Sequence, residues 1–126
     1  MNRAQELQLQ RLRLGSYNNL DGPRVAHDLM EHEGLWDSFV FGRFEYQPLI
    51  ELRDLPQGIL NADTIYLLTR KDRLAGLLDL VEHWKADEVG WETADQREGA
   101  FPAKSAFDLL GAFLGPNDVL VRVWWD

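Results

Sequence analysis

The chain has 126 residues, 13 Lys or Arg against 21 Asp or Glu, a formal charge of −8 and no cysteine. Its length suits one domain, and an apolar content of 45% suffices for a packed core, which argues against general disorder. The missing cysteine excludes a disulfide framework, a thiolate metal site and a cysteine nucleophile. The negative charge argues against direct nucleic-acid binding, because such proteins neutralise phosphates with Lys and Arg.

The sequence contains no recognisable targeting signal and no sign of a second domain. No run of 18 apolar residues is present, so no membrane span is expected. The N-terminus lacks the apolar run of a signal peptide, and we expect a cytoplasmic protein. No linker, repeat or low-complexity tract divides the chain, which predicts a single domain over residues 1–126.

The first half predicts two helices followed by two strands. Good helix formers with leucines at helical spacing favour a helix over residues 3–14. A second helix is expected to begin after Asp21, because Asp caps free N–H groups and Pro23 fits the first turn. Residues 38–44 are aromatic and β-branched and predict a strand. Residues 49–52 predict another.

A β-α-β unit is predicted over residues 64–93. Residues 64–68 are apolar on both faces, as expected of a covered strand. Thr69 and Asp72 match a capping box, and apolar residues at three- and four-residue spacing predict an amphipathic helix over residues 71–85. The alternation in residues 88–93 predicts a half-exposed strand.

The remaining residues complete an α+β pattern. Residues 95–99 are expected to form a polar loop, a helix to begin at Pro102 and end at Gly115, and a last strand to span residues 119–125. The order of elements predicts an α+β domain with a mixed sheet of four or five strands and helices packed against it.

No motif identifies a reaction. The sequence lacks both common glycine-rich nucleotide signatures, the Gly-x-Ser-x-Gly elbow and the His-Glu-x-x-His metal motif. His27 and His32 could each pair with a carboxylate four residues away, but they lie about 140° apart around a helix and would not easily share one ion. We therefore predict no catalytic residue, no metal and no cofactor, and an enzyme is not the favoured class.

One basic cluster keeps an alternative open. Arg70, Lys71 and Arg73 follow the predicted strand at the start of the long helix, where free N–H groups attract anions. A small enzyme or ligand-binding domain with an anion site there is the second hypothesis. Solvated charges beside a helix start are the simpler interpretation.

Tryptophan and acidic residues suggest a different site. Trp91 lies on the half-exposed strand, and residues 87–98 contain five carboxylates against one arginine. An exposed indole supplies contact area and carboxylates steer a basic partner. The predicted partner-binding residues are Glu88, Trp91, Glu92, Asp95 and Glu98. The alternative is that Trp91 faces the core and the acids solvate a loop.

The favoured hypothesis is accordingly a non-catalytic protein-binding domain. Its sharpest form is a small acidic inhibitor, such as the immunity protein of a toxin, because a toxin acting on nucleic acid carries a basic cleft that an acidic domain can cover. The predicted partner is another protein with a basic surface. Trp124 and Trp125 point to opposite faces of the last strand, which leaves a homodimer as a third possibility.

Overall fold

A computed structural model describes residues 1–14, 18–42, 52, 55–58, 62–99, 110 and 113–126. These residues contain three α-helices and five strands. In chain order they are α1 (Arg3–Leu12), α2 (Gly22–Glu31), β1 (Ser38–Gly42), β2 (Thr64–Arg70), α3 (Leu74–Glu82), β3 (Glu88–Glu92), β4 (Arg97–Gly99) and β5 (Asp118–Trp124). The predicted α+β class and the predicted number of strands are confirmed.

The first two helices begin at side-chain caps. The carboxamide oxygen of Asn2 accepts a hydrogen bond from the Gln5 N–H (2.9 Å), and the Asp21 carboxylate accepts one from the Arg24 N–H (3.2 Å). Each cap satisfies one of the N–H groups that a helix start leaves without a partner. The predicted start of the second helix at Asp21 and Pro23 is confirmed.

The strand order is β1-β2-β5-β3-β4, and every neighbouring pair is antiparallel. The prediction of a mixed sheet is wrong on this point, because β5 inserts between β2 and β3. The two strands of the predicted β-α-β unit are both antiparallel to β5, so they run parallel to each other. They are joined through α3 but do not touch.

Two regions differ from the predicted elements or lie outside the described residues. Residues 97–99, predicted as loop, form β4, which pairs with β3 as a hairpin. Of the strand predicted over residues 49–52, Leu52 alone is described and lies in a turn, and most of the helix predicted from Pro102 falls outside the described residues. Of that helix, Leu110 is described and is helical, whereas residues 113–115 are described and are not, so the predicted end at Gly115 is wrong.

The helices cover one face of the sheet and form the main core with it. This core joins buried residues of all three helices to the strand residues that alternate towards them, including Leu12, Leu29, Leu77, Ile65, Leu67, Val121, Val123 and Trp125. On the opposite face, Tyr66 and Leu120 pack with Leu110 and Leu114. In the described part of the chain, no helix has the length and apolar character needed to cross a membrane.

Candidate functional site

The β3–β4 hairpin holds all five residues of the predicted interface. A backbone hydrogen bond from Thr93 N–H to the Gln96 carbonyl (2.8 Å) closes the hairpin, and Trp91 lies opposite Glu98. Successive side chains of a strand point to opposite faces. Trp91 and Glu98 therefore lie on the helix-bearing face, whereas Glu88 and Glu92 lie on the other. The structure does not bring the five residues together on one surface.

Arginines of the same chain neutralise the two carboxylates on the far face. Arg122 Nη1 donates to Glu88 Oε2 (3.2 Å), and Arg97 Nε lies 3.6 Å from Glu92 Oε1. Arg122 is only 3% exposed. Burying the charge of Arg122 is costly unless an anion compensates it. The main role of Glu88 is therefore to stabilise the fold by supplying that anion. Sequence reasoning missed Arg122, whose position in an apolar alternating strand gave no sign of this pairing.

The remaining predicted residues lie at the hairpin tip and on the helix-bearing face. The Asp95 carboxylate accepts a hydrogen bond from the Thr93 hydroxyl (3.1 Å) within the turn. Trp91 is partly buried and packs against the main core, opposite the fully buried Val121. Glu98 is exposed. Trp91 therefore belongs to the core, but part of its side chain remains exposed to solvent. Glu98 lies next to this exposed part.

An open cleft on the same face lies between α3 and β3. It has a volume of about 360 Å³ and is lined by Leu78, Asp79, Val81, Glu82, Lys85, Ala86 and Val89. We call these seven residues the acidic cleft. Val89 is 37% exposed and lies two residues before Trp91, so its side chain points to the same side of the sheet. The cleft therefore continues the surface that Trp91 and Glu98 begin.

The carboxylates of this surface differ from those on the far face. Within the described residues, Asp79, Glu82 and Glu98 take part in no ion pair. Lys85 is the one cation among the cleft residues. Asp79 and Glu82 fall on the polar side of the amphipathic helix predicted over residues 71–85, and nothing in the sequence joins that side to β3. The spacing of Val89 and Trp91 places both side chains on one face of a strand, but it does not show which helix packs beside that face.

The basic cluster of the alternative hypothesis is spread over different contacts. Arg73 donates to Asp37 Oδ1 (2.7 Å) and to the Gly34 carbonyl (3.2 Å). Arg70 is exposed and lies opposite Asp118 in the strand register. The backbone N–H of Lys71 donates to the Asn117 carbonyl (2.9 Å). Arg73 is therefore bound to the segment between α2 and β1. It does not form one anion site together with Arg70 and Lys71.

Histidine and acidic residues do not gather into a metal-binding group in the described parts of the chain. His27, His32 and His83 are exposed. Asp28, one of the carboxylates that a histidine pair would use, instead accepts a hydrogen bond from the Trp84 indole N–H (2.9 Å). This contact joins α2 to the end of α3.

The two C-terminal tryptophans have separate environments. Trp125 is fully buried in the main core, and its indole N–H donates to the Trp84 carbonyl (3.0 Å). The two indole rings lie 6.3 Å apart between centroids. Trp124 is on the other face of the sheet and partly exposed. The burial of Trp125 is accounted for within one chain.

No protein-family model, no curated protein and no solved structure matches this chain.

Proposed function

We propose that this chain is a non-catalytic protein-binding domain that recognises a partner with a basic surface. Its binding surface comprises the acidic cleft together with Trp91 and Glu98. The observation that carries this proposal is the contrast between two sets of carboxylates. Glu88 and Glu92 are neutralised by arginines of the chain, whereas Asp79, Glu82 and Glu98 are not paired within the described residues and border exposed apolar surface.

Apolar area and unpaired charge have complementary roles at such a surface. Val89 and the exposed part of Trp91 supply area that a partner can bury, and buried aromatic residues often dominate binding energy. The carboxylates contribute mainly to the rate of encounter and to the choice of partner. The net charge of −8 attracts a cationic protein over a longer range, and salt weakens this attraction.

A basic toxin is the partner class that fits this charge best, and the chain would then act as its inhibitor. A toxin that cleaves or modifies nucleic acid presents cations along its active-site cleft, since it must hold a polyanion. An acidic domain that covers those cations blocks access, and fast association protects the cell that makes both proteins.

The test is co-expression of the tagged chain with the products of the genes next to its own, followed by purification and titration calorimetry of any complex. We expect one of these products to bind, and Val89→Arg to weaken it at least about tenfold, because a new cation faces a cationic partner. Val40→Arg is the matched control. Val40 is 40% exposed on the opposite face of the sheet, and its replacement should leave affinity unchanged.

Two results would overturn the proposal. One is a complex that Val89→Arg and Val40→Arg weaken equally. The other is binding that does not change with salt concentration, since a surface that depends on unpaired carboxylates loses affinity as ionic strength rises. The midpoint of urea unfolding of each variant shows that a loss of binding does not come from unfolding.

A further inference from the structure

We infer that the acidic cleft receives one arginine side chain of the partner. This inference rests on the proposed function, because it names the group that the binding surface recognises. The cleft volume of about 360 Å³ is at the low end of the roughly 300–1,000 Å³ of ligand clefts. It therefore suits a single long side chain better than a secondary-structure element.

The floor of the cleft suits the aliphatic part of such a side chain. Val81 is almost fully buried, whereas Leu78 and Ala86 are partly exposed and Val89 is exposed. Arg buries its methylene stem along apolar surface while its charged end stays near water. Leu78, Ala86 and Val89 therefore offer that stem an apolar surface across the gap from α3 to β3.

The rim of the cleft suits a guanidinium. Asp79 and Glu82 are three residues apart on α3, so their Cβ atoms lie roughly 5–6 Å apart on one side of the helix. Both side chains are exposed and line the cleft. A planar guanidinium has five N–H donors in a fixed fork and can contact two carboxylates at once, whereas an ammonium is a compact point charge. Lys85, the one cation among the cleft residues, opposes the binding of another cation.

The experiment uses the full chain and three five-residue peptides that differ at the central position. The peptides are acetylated and amidated, with alanine at the four outer positions and arginine, citrulline or lysine in the centre. Citrulline keeps the shape of arginine without its charge. Binding is followed by NMR through the methyl signals of Leu78 and Val89. We expect the arginine peptide to shift these signals and the citrulline peptide to bind about fivefold more weakly, as expected for the loss of partly exposed ion pairs. The lysine peptide should fall between them.

Charge-removing variants locate the contact. Asp79→Asn combined with Glu82→Gln should weaken arginine-peptide binding to the level of citrulline. Asp72→Asn combined with Glu31→Gln removes the same charge from exposed positions outside the cleft and should leave it unchanged. The inference is overturned if the methyl signals of Leu78 and Val89 stay fixed, if citrulline or lysine binds as tightly as arginine, or if both double variants act equally.

The two proposals fail in different ways. If a basic partner protein binds in a manner that depends on Val89 but the arginine peptide leaves the cleft signals unchanged, the arginine inference is wrong and the binding function stands. If the peptide binds in the cleft but no protein partner depends on Val89, the proposed function is wrong.

Discussion

The guanidinium of Arg122 on β5 donates to the carboxylate of Glu88 on the neighbouring strand β3, at 3.2 Å. The two side chains are exposed to very different degrees, 4% for Arg122 and 43% for Glu88. Glu88 therefore looks like a surface residue in the sequence but compensates a charge inside the fold. A carboxylate that serves its own chain in this way is less available to a partner than one that does not.

Glu88→Gln should lower the free energy of unfolding by about 1–2 kcal/mol, because the buried Arg122 loses its carboxylate while the exposed side of Glu88 limits the effect. Urea unfolding followed by tryptophan fluorescence measures this change. Glu98→Gln, on the exposed strand β4, is the control and should change stability by less than about 0.5 kcal/mol. Equal losses in the two variants would contradict the structural role of Glu88.

The sequence predicts most local elements of this fold because their signals are local. Helix caps, apolar spacing and alternation lie within a few residues of one another, as at Asp21 and along β5. The sheet order is different. Strand β5 enters between β2 and β3 from a part of the chain some thirty residues after β3, and hydrophobic alternation carries no information on which strands become neighbours.

The candidate site likewise combines features that nearby residues determine with features that depend on tertiary packing. Glu88, Trp91 and Glu92 are close in sequence, which suggested one patch, but the period of two in a strand places Trp91 on the other face from both glutamates. The same alternation is present in the sequence, where it already separates Trp91 from the two glutamates. The cleft beside Val89 was not readable, because it depends on how α3 packs against β3.

Gly99 is the position on β4 that only glycine fits. Its φ is +72°, and a Cβ added there would lie 2.4 Å from the Val89 carbonyl oxygen. We expect Gly99→Ala to destabilise the protein by about 1–3 kcal/mol, since both the strained backbone and the overlap with β3 oppose it. Gly42→Ala on β1 is the control, because a Cβ there meets no atom of the described residues within 4 Å. Thermal unfolding compares the two, and a Gly99→Ala variant as stable as Gly42→Ala would contradict the described hairpin.

Lys85 follows α3 in the left-handed region, with φ of 53°. A side chain in this conformation is strained, and glycine is the residue that most often ends a helix there. Lys85→Gly should therefore raise the free energy of unfolding by about 0.5–1 kcal/mol. Lys85→Ala removes the same charge but keeps a Cβ, so it should give no such gain. If both variants stabilise the protein equally, the cause is the lost charge and not the backbone.

The helix predicted over residues 71–85 is present as the shorter α3, Leu74–Glu82, but the predicted role of Thr69 at its start is wrong. The sequence Thr69–Asp72 predicts a capping box, in which the threonine would accept a hydrogen bond from the helix start. In the structure Thr69 is the buried penultimate residue of β2, and its hydroxyl donates to the Leu35 carbonyl at 2.7 Å. A 3-10 turn, Lys71–Arg73, leads into α3, and no side chain of the described residues caps this start.

The observed contact between Thr69 and Leu35 and a capping box both make Thr69 costly to replace, but they differ in what they predict for Asp72. Thr69→Val keeps the shape of the side chain but leaves the Leu35 carbonyl without this donor, so the free energy of unfolding should fall by about 1–2 kcal/mol. Asp72→Ala should change it by less than about 0.5 kcal/mol, because Asp72 is exposed and caps nothing. A capping box would instead make both replacements costly, since its two side chains act reciprocally. Urea unfolding of the two variants decides between these arrangements, and a large loss in Asp72→Ala would show that the helix start is capped in solution after all.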